Sequence, residues 1–193
     1  MSSQIISVVL VGVGGQGILL ASEITAQTAM NAGFDVKTNE VHGMAQRGGS
    51  VIAQIRYGKE VYSPLAAKGT AHVLCSLEQS EALRYSDYLA EGALAVVNAQ
   101  QITPVTVSMG AAKYPENVEQ KLRDQFSRLI YFDASKKAIE LGNIRTANVV
   151  LLGALSTGLD LPMEAWYKAI AACVKKQYLD INLKAFEEGR KMV

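Results

Sequence analysis

A chain of 193 residues that is 49% hydrophobic can bury one full core without needing a second domain. Lys and Arg (19) nearly balance Asp and Glu (18), leaving a net charge of +1, so no overall field draws the chain to nucleic acid or to an anionic membrane. Its two cysteines, Cys75 and Cys173, lie far apart among apolar neighbours and read as buried thiols in a reducing compartment rather than as a disulfide.

Ile5 to Val11 is an apolar strand, and Gly12-Val13-Gly14-Gly15-Gln16-Gly17 follows it and opens a helical stretch near Gln16. Glycines let the chain turn sharply and let backbone N–H groups approach a ligand, while a helix start adds unpaired donors and a positive dipole end. The spacing of Gly12, Gly14 and Gly17 fits a dinucleotide fingerprint, although a strand-to-helix turn uses glycine for its geometry alone. Ile18 to Ala32 reads as a helix with Gly33 as its C-cap, and Phe34 to Asn39 as a second strand, which makes a βαβ unit with parallel strands. Glu40 ends that strand, where a nicotinamide-binding fold places its ribose-binding acid, but its distance from Gly12 exceeds the usual spacing of about 20 residues.

The run His42-Gly43-Met44-Ala45-Gln46-Arg47-Gly48-Gly49 comes next. In an open parallel sheet the loops after strands one and two leave from the same carboxyl edge, so His42 and Arg47 are expected beside the Gly14 to Gly17 turn. Arg47 offers a planar cationic fork for a phosphate or carboxylate, or else satisfies loop carbonyls, and Gly48 and Gly49 permit close backbone approach. His42 reads as a ligand donor or a loop-fixing residue ahead of an acid–base catalyst, because no nucleophile lies nearby.

Ser50 to Tyr57 alternates apolar and polar residues and predicts a third strand with one solvated face; after a turn at Gly58-Lys59-Glu60, Val61 to Ser63 is a short returning strand. Ala71 to Leu77 is a buried strand with His72 at its edge, Glu78 to Ala90 a helix, and Ala93 to Asn98 another strand, with Asn98 either facing the crevice or capping a turn. Pro104 to Ser108 reads as a further strand, Pro115 to Phe126 as a surface helix with Pro115 in its first turn, and Leu129 to Asp133 as a short strand. The rest is helical: Ala134 to Leu141, Thr146 to Thr157, Met163 to Gln177 and Asp180 to Lys191. Asn148 reads as a buried structural amide, and Trp166, Tyr167 and Tyr178 as packing residues.

This alternation predicts a single Rossmann-like α/β domain over 1–193, with an open, mostly parallel sheet and helices on both faces over about residues 1–135 and a helical C-terminal part over about 136–193. Met1 to Ser7 lacks the basic n-region of a secretion signal, and Ala147 to Leu155 is too short to cross a bilayer of about 30 Å, so a cytoplasmic chain is expected. The histidines and cysteines lack close metal-binding spacing, so no metal ligand is expected here.

Taken together, the Gly12 to Gly17 run, the His42 to Gly49 run and Asn148 to Gly153 resemble the gamma-type domain of the 2-oxoacid:ferredoxin oxidoreductases, and the likeness covers nearly the whole chain. The resemblance implies a subunit that supports oxidative decarboxylation of an aryl pyruvate such as indolepyruvate, with coenzyme A accepting the acyl group and ferredoxin the electrons. Related gamma-type subunits acting on pyruvate, 2-oxoisovalerate or 2-oxoglutarate are the near alternative. No Gly-Asp-Gly run opens a thiamine diphosphate motif and no cysteine set exists for an iron–sulfur cluster, so those cofactors are expected on a larger catalytic alpha subunit, and the isolated chain is expected to be inactive. The resemblance makes Gly12, Gly14, Gly15, Gln16, Gly17, His42, Arg47, Gly48 and Gly49 a wall of the coenzyme A or substrate entrance, with no catalytic residue on this chain. Two readings of other classes stand beside it: a free-standing NAD(P)- or FAD-binding Rossmann protein, and a scaffold whose loops bind only protein.

Overall fold

The computed structural model describes residues 5–43 and 48–193, with His42, Val105 and Thr106 described in backbone only. Six strands form one sheet in the order β2-β3-β1-β4-β5-β6, comprising β1 (Ile6–Val13), β2 (Asp35–His42), β3 (Ser50–Gly58), β4 (Ala71–Ser76), β5 (Leu89–Asn98) and β6 (Arg128–Phe132). β4 pairs parallel with β1 and with β5, and β5 parallel with β6, whereas β3 runs antiparallel to both β1 and β2.

The expected βαβ unit is therefore opened by an inserted strand. β1 and β2 point the same way but do not touch, because β3 lies between them, pairing Val8 with Ile55 on one side and Thr38 with Ile55 on the other. The cause is local. Only residues 43–49 separate β2 from β3, too short for a parallel crossover and long enough for a hairpin. Being inserted, β3 is covered on both faces: Val51, Ala53, Ile55 and Tyr57 enter one core and Ile52 the other. The solvated face expected for Ser50 to Tyr57 is absent for this reason, since alternation records which side chains are polar and not which neighbours cover them.

One sheet face carries the larger core, under α1 (Ile18–Asn31), α5 (Ala134–Glu140), α6 (Ala147–Ser156), α7 (Met163–Cys173) and α8 (Leu179–Arg190). The other carries α2 (Gln79–Arg84) and α4 (Val118–Gln125) over Val9, Val11, Leu74 and Val97. Helix α6 is buried from Asn148 to Ser156, and it crosses α8 where Gly153 and Gly189 face backbone. A Cβ on Gly153 would lie 2.1 Å from the Phe186 carbonyl oxygen, and one on Gly189 1.8 Å from that of Val150. Trp166 and Phe186 fill the space beside this crossing with ring centroids 5.4 Å apart, both fully buried.

Several element boundaries differ from expectation. Val61 to Ser63 forms no strand; it belongs to a loop tied down by Arg56, whose guanidinium donates to the Ser63 and Leu65 carbonyls at 2.8 and 3.2 Å. Pro104 to Ser108 contains the short helix α3 (Val105–Ser108), with the Ser108 amide bonding the Pro104 carbonyl at 3.0 Å. The helix predicted over Glu78 to Ala90 stops at Arg84, and β5 already begins at Leu89. Helix α4 begins at Val118, after Pro115. Both cysteines are free thiols, Cys75 in the core, where burial pushes its thiol up to about 12, and Cys173 half-buried at the end of α7. No helix among the described residues is long and apolar enough to cross a membrane.

Candidate functional site

Strand order makes the site. From β1 the chain first moves to the β2–β3 side and later to the β4–β6 side, so the carboxyl ends of β1 and β4 flank a topological switch point, where open α/β sheets leave a crevice. A cleft of about 640 Å³ opens there, lined among others by Val13 to Gly17, Leu77, Asn98, Gln100, Ile144, Arg145, Ala147 and Asn148.

Three glycines of the β1–α1 turn are there for different reasons. Gly15 and Gly17 hold φ of 102° and 83°, a region that costs side-chain-bearing residues about 1–2 kcal/mol. A Cβ on Gly17 would also come within 2.6 Å of the Asn148 amide nitrogen, whereas one on Gly15 would meet nothing within 4 Å. Gly12 lacks room rather than torsional freedom, because its Cβ would sit 2.8 Å from Gln16 Oε1 and 3.0 Å from Leu77 Cβ. Gln16 works inward: its Oε1 accepts from the Val13 amide at 2.8 Å, and its Nε2 donates to the Leu77 carbonyl at 2.7 Å and to Gln100 Oε1 at 3.0 Å. It joins the ends of β1 and β4 to the loop after β5, while also lining the cleft.

The meeting of the two glycine loops occurs through backbone. Gly14 N–H donates to the Gly49 carbonyl at 2.8 Å, and Gly48 N–H to the Gly14 carbonyl at 3.3 Å. Gly48 lines the cleft with Gly14, Gly15, Gln16 and Gly17. Arg47 and the His42 side chain lie outside the described residues.

Asn148 and Asn98 brace opposite sides of the cleft. Asn148, 4% exposed at the start of α6, donates to the Gly17 carbonyl at 3.1 Å and accepts from the Val149 amide. Asn98 donates to the Leu77 carbonyl at 3.1 Å and accepts from the Ala134 amide at 2.9 Å, so it both faces the crevice and holds the start of α5. The α1 N-terminus enters the cleft with no side-chain cap, leaving its first amide groups available to a ligand, whereas the start of α6 is closed, with Ala147 N–H on the Ile144 carbonyl and Val149 N–H on Asn148 Oδ1. Arg145, exposed on the rim, is the one charged side chain among the described lining residues. An uncapped helix start and a rim guanidinium suit this cleft to an anion.

Sequence reasoning missed Arg145, because nothing in Ile144-Arg145-Thr146 marks it until folding brings α6 beside the β1–α1 turn. Glu40 is the converse case. It lies inside β2 rather than at its end, exposed and opposite Ala53, with β3 separating it from β1, so it does not occupy the ribose-binding position of a dinucleotide fold. Among the described residues no group of three or more His, Cys, Asp or Glu side chains converges to hold a metal ion.

The pyruvate ferredoxin/flavodoxin oxidoreductase family matches residues 7–192. The indolepyruvate oxidoreductase subunit IorB of Pyrococcus horikoshii is 45% identical over 190 residues, covering 96% of this chain and 94% of that one. Among solved structures, a keto/oxoacid ferredoxin oxidoreductase gamma subunit from Geobacter sulfurreducens superposes with a TM-score of 0.71 at 24% identity, covering 97% of each chain. The 2-oxoglutarate:ferredoxin oxidoreductase of Magnetococcus marinus, solved with 2-oxoglutarate, coenzyme A and succinyl-CoA bound, superposes with a TM-score of 0.72 at 20% identity, over 99% of this chain and 31% of that one. The match along almost the entire length establishes that the chain belongs to the pyruvate ferredoxin/flavodoxin oxidoreductase family.

Proposed function

We propose that this chain is the beta subunit of an indolepyruvate:ferredoxin oxidoreductase and that its cleft receives the phosphate-bearing end of coenzyme A. In the assembled enzyme an aryl pyruvate loses carbon dioxide, its acyl group passes to coenzyme A, and two electrons pass to ferredoxin. The full-length likeness to an indolepyruvate oxidoreductase subunit supports the assignment of substrate class. The observation that carries the coenzyme assignment is the convergence of the α1 N-terminus, the Gly14 to Gly17 turn and Arg145 on one cleft of about 640 Å³. Gly14, Gly15, Gln16, Gly17 and Gly48 line it, Gly12 and Gly49 stand behind them against Gln16 and Gly14, and His42 and Arg47 enter the same proposal on the sequence alone.

The remaining cofactors belong to the catalytic alpha subunit. Two cysteines, one in the core and one on α7, cannot supply the four ligands of an iron–sulfur cluster, so thiamine diphosphate, the clusters and contact with ferredoxin are assigned to that larger partner. The setting is the cytoplasm, and the isolated chain is inactive.

Co-expression with the catalytic subunit tests the reading. Indolepyruvate-dependent ferredoxin reduction is expected only when both chains are present, and Arg145→Gln is expected to raise KM for coenzyme A about tenfold, the loss of one charge-assisted contact. Indolepyruvate oxidation by the isolated chain would overturn the subunit assignment, and an unchanged KM would remove Arg145 from the coenzyme site.

A further inference from the structure

Two buried glutamates on one turn hold the two loop walls of the cleft. Glu78 and Glu81, 0% and 3% exposed, stand at the start of α2 on the sheet face opposite the main core. Glu78 Oε2 accepts from Ser80 N–H at 2.8 Å, the Ser80 hydroxyl at 2.6 Å and Glu81 N–H at 3.1 Å, which caps α2. Its other oxygen does something a helix cap does not require: it accepts from Ile102 N–H at 3.2 Å and from the Tyr114 hydroxyl at 2.5 Å. Ile102 and Gln100 line the cleft, and the Gln100 carbonyl is held by Gln79 N–H at 3.1 Å. On the other side the Glu81 carboxyl accepts from the Ser50 hydroxyl, which also contacts the Tyr85 hydroxyl at 3.1 Å. Ser50 starts β3 directly after Gly48-Gly49, the pair that closes on Gly14.

Burying a carboxyl group is costly unless its oxygens are met by donors, and a serine or aspartate caps a short helix with less buried polarity. What the length of glutamate adds is reach to a second segment. We propose that Glu78 and Glu81 are positioning residues of the cleft, Glu78 holding the Gln100–Ile102 wall and Glu81 the Gly48–Gly49 wall, so that α2 sets the gap into which the coenzyme fits. The proposal deepens the coenzyme reading and rests on it.

Glu78→Gln is the discriminating variant. Its amide oxygen can keep the cap, which leaves the amide NH₂ facing Ile102 N–H, donor against donor. Exchange of the Ile102 amide in the full chain is expected to quicken about tenfold, and KM for coenzyme A in the assembled enzyme to rise about tenfold with kcat within about twofold. Ser50→Ala, a small change that the fold tolerates, is expected to quicken exchange at Gly48 and raise the same KM about fivefold. Unchanged exchange in both Glu78→Gln and Ser50→Ala overturns the positioning role. Faster exchange with an unchanged KM supports the positioning of the walls and overturns the coenzyme reading beneath it.

Discussion

Glycine serves opposite ends in two regions of this molecule, the β1–α1 turn and the α6–α8 crossing. At the turn, Gly15 and Gly17 are needed for torsion: their φ angles are positive, and at Gly15 there is open space where a side chain would go. At the crossing, Gly153 inside α6 and Gly189 in the last turn of α8 have no positive φ, and are needed because a carbonyl oxygen occupies the place of their Cβ. The first kind leaves a mark in a local pattern, a run of glycines between a strand and a helix. The second leaves none, since a lone glycine in a helical stretch looks like a weakness until the partner helix is in place.

Substitutions to alanine separate the two cases. The largest effect is expected for Gly189→Ala, where the helices must part to admit a methyl group that would otherwise lie 1.8 Å from the Val150 oxygen. A loss of about 3 kcal/mol in urea denaturation is expected, with Gly153→Ala close behind, and a loss below about 1 kcal/mol would show that the crossing has room. Gly17→Ala combines a positive φ with contact against Asn148, and is expected to cost about 2 kcal/mol. Gly15→Ala carries only the torsional part, about 1 kcal/mol, and should leave a folded subunit whose KM for coenzyme A is nonetheless raised, because the new methyl group projects into the cleft. If Gly15→Ala proved as damaging to stability as Gly189→Ala, the contrast between torsion and volume would fail.

The smallest expected effect lies in the cleft wall and has a sign fixed by proton linkage. Burial raises the Glu81 carboxyl above its ordinary value of 4.5, against the lowering influence of Ser50 and Arg84. The folded state therefore resists ionising Glu81, and the wild type loses part of its stability as pH rises from the ordinary value through the raised one. Glu81→Gln has no such proton to lose. Its stability relative to the parent should improve with rising pH over that acid window and stay level above it, as denaturation midpoints between about pH 4 and 8 will show. A relative stability that falls as pH rises would reverse the assignment.

Much of the architecture was legible because the alternation of apolar strands and longer helical stretches is a local property. The strand before Gly12, the buried strand from Ala71 and the three C-terminal helices lie within a few residues of where the pattern places them. Val61 to Ser63 and Pro104 to Ser108 are too short for a period to show, and each is held by something other than a strand partner: the Arg56 side chain for the first and a single helical turn for the second. The site was half legible: the glycine loops were recognised and do meet, through Gly14, Gly48 and Gly49. Arg145, Glu78 and Glu81 were not, because their surroundings in sequence carry no signal of what they approach.

By itself the sequence determined the class of fold, the family, and the presence of a strand–glycine–helix turn, since hydrophobic period and glycine spacing act over distances the chain keeps along its own length. The tertiary structure alone decided that β3 slips between β1 and β2, that this insertion removes Glu40 from the crevice, that the turn before α6 brings a rim arginine to it, and that buried carboxyls at the start of α2 bond the loops behind its walls. Those outcomes depend on which surfaces cover one another and on hydrogen bonds between segments tens of residues apart, and such pairings are settled only when the whole sheet has closed on its helices.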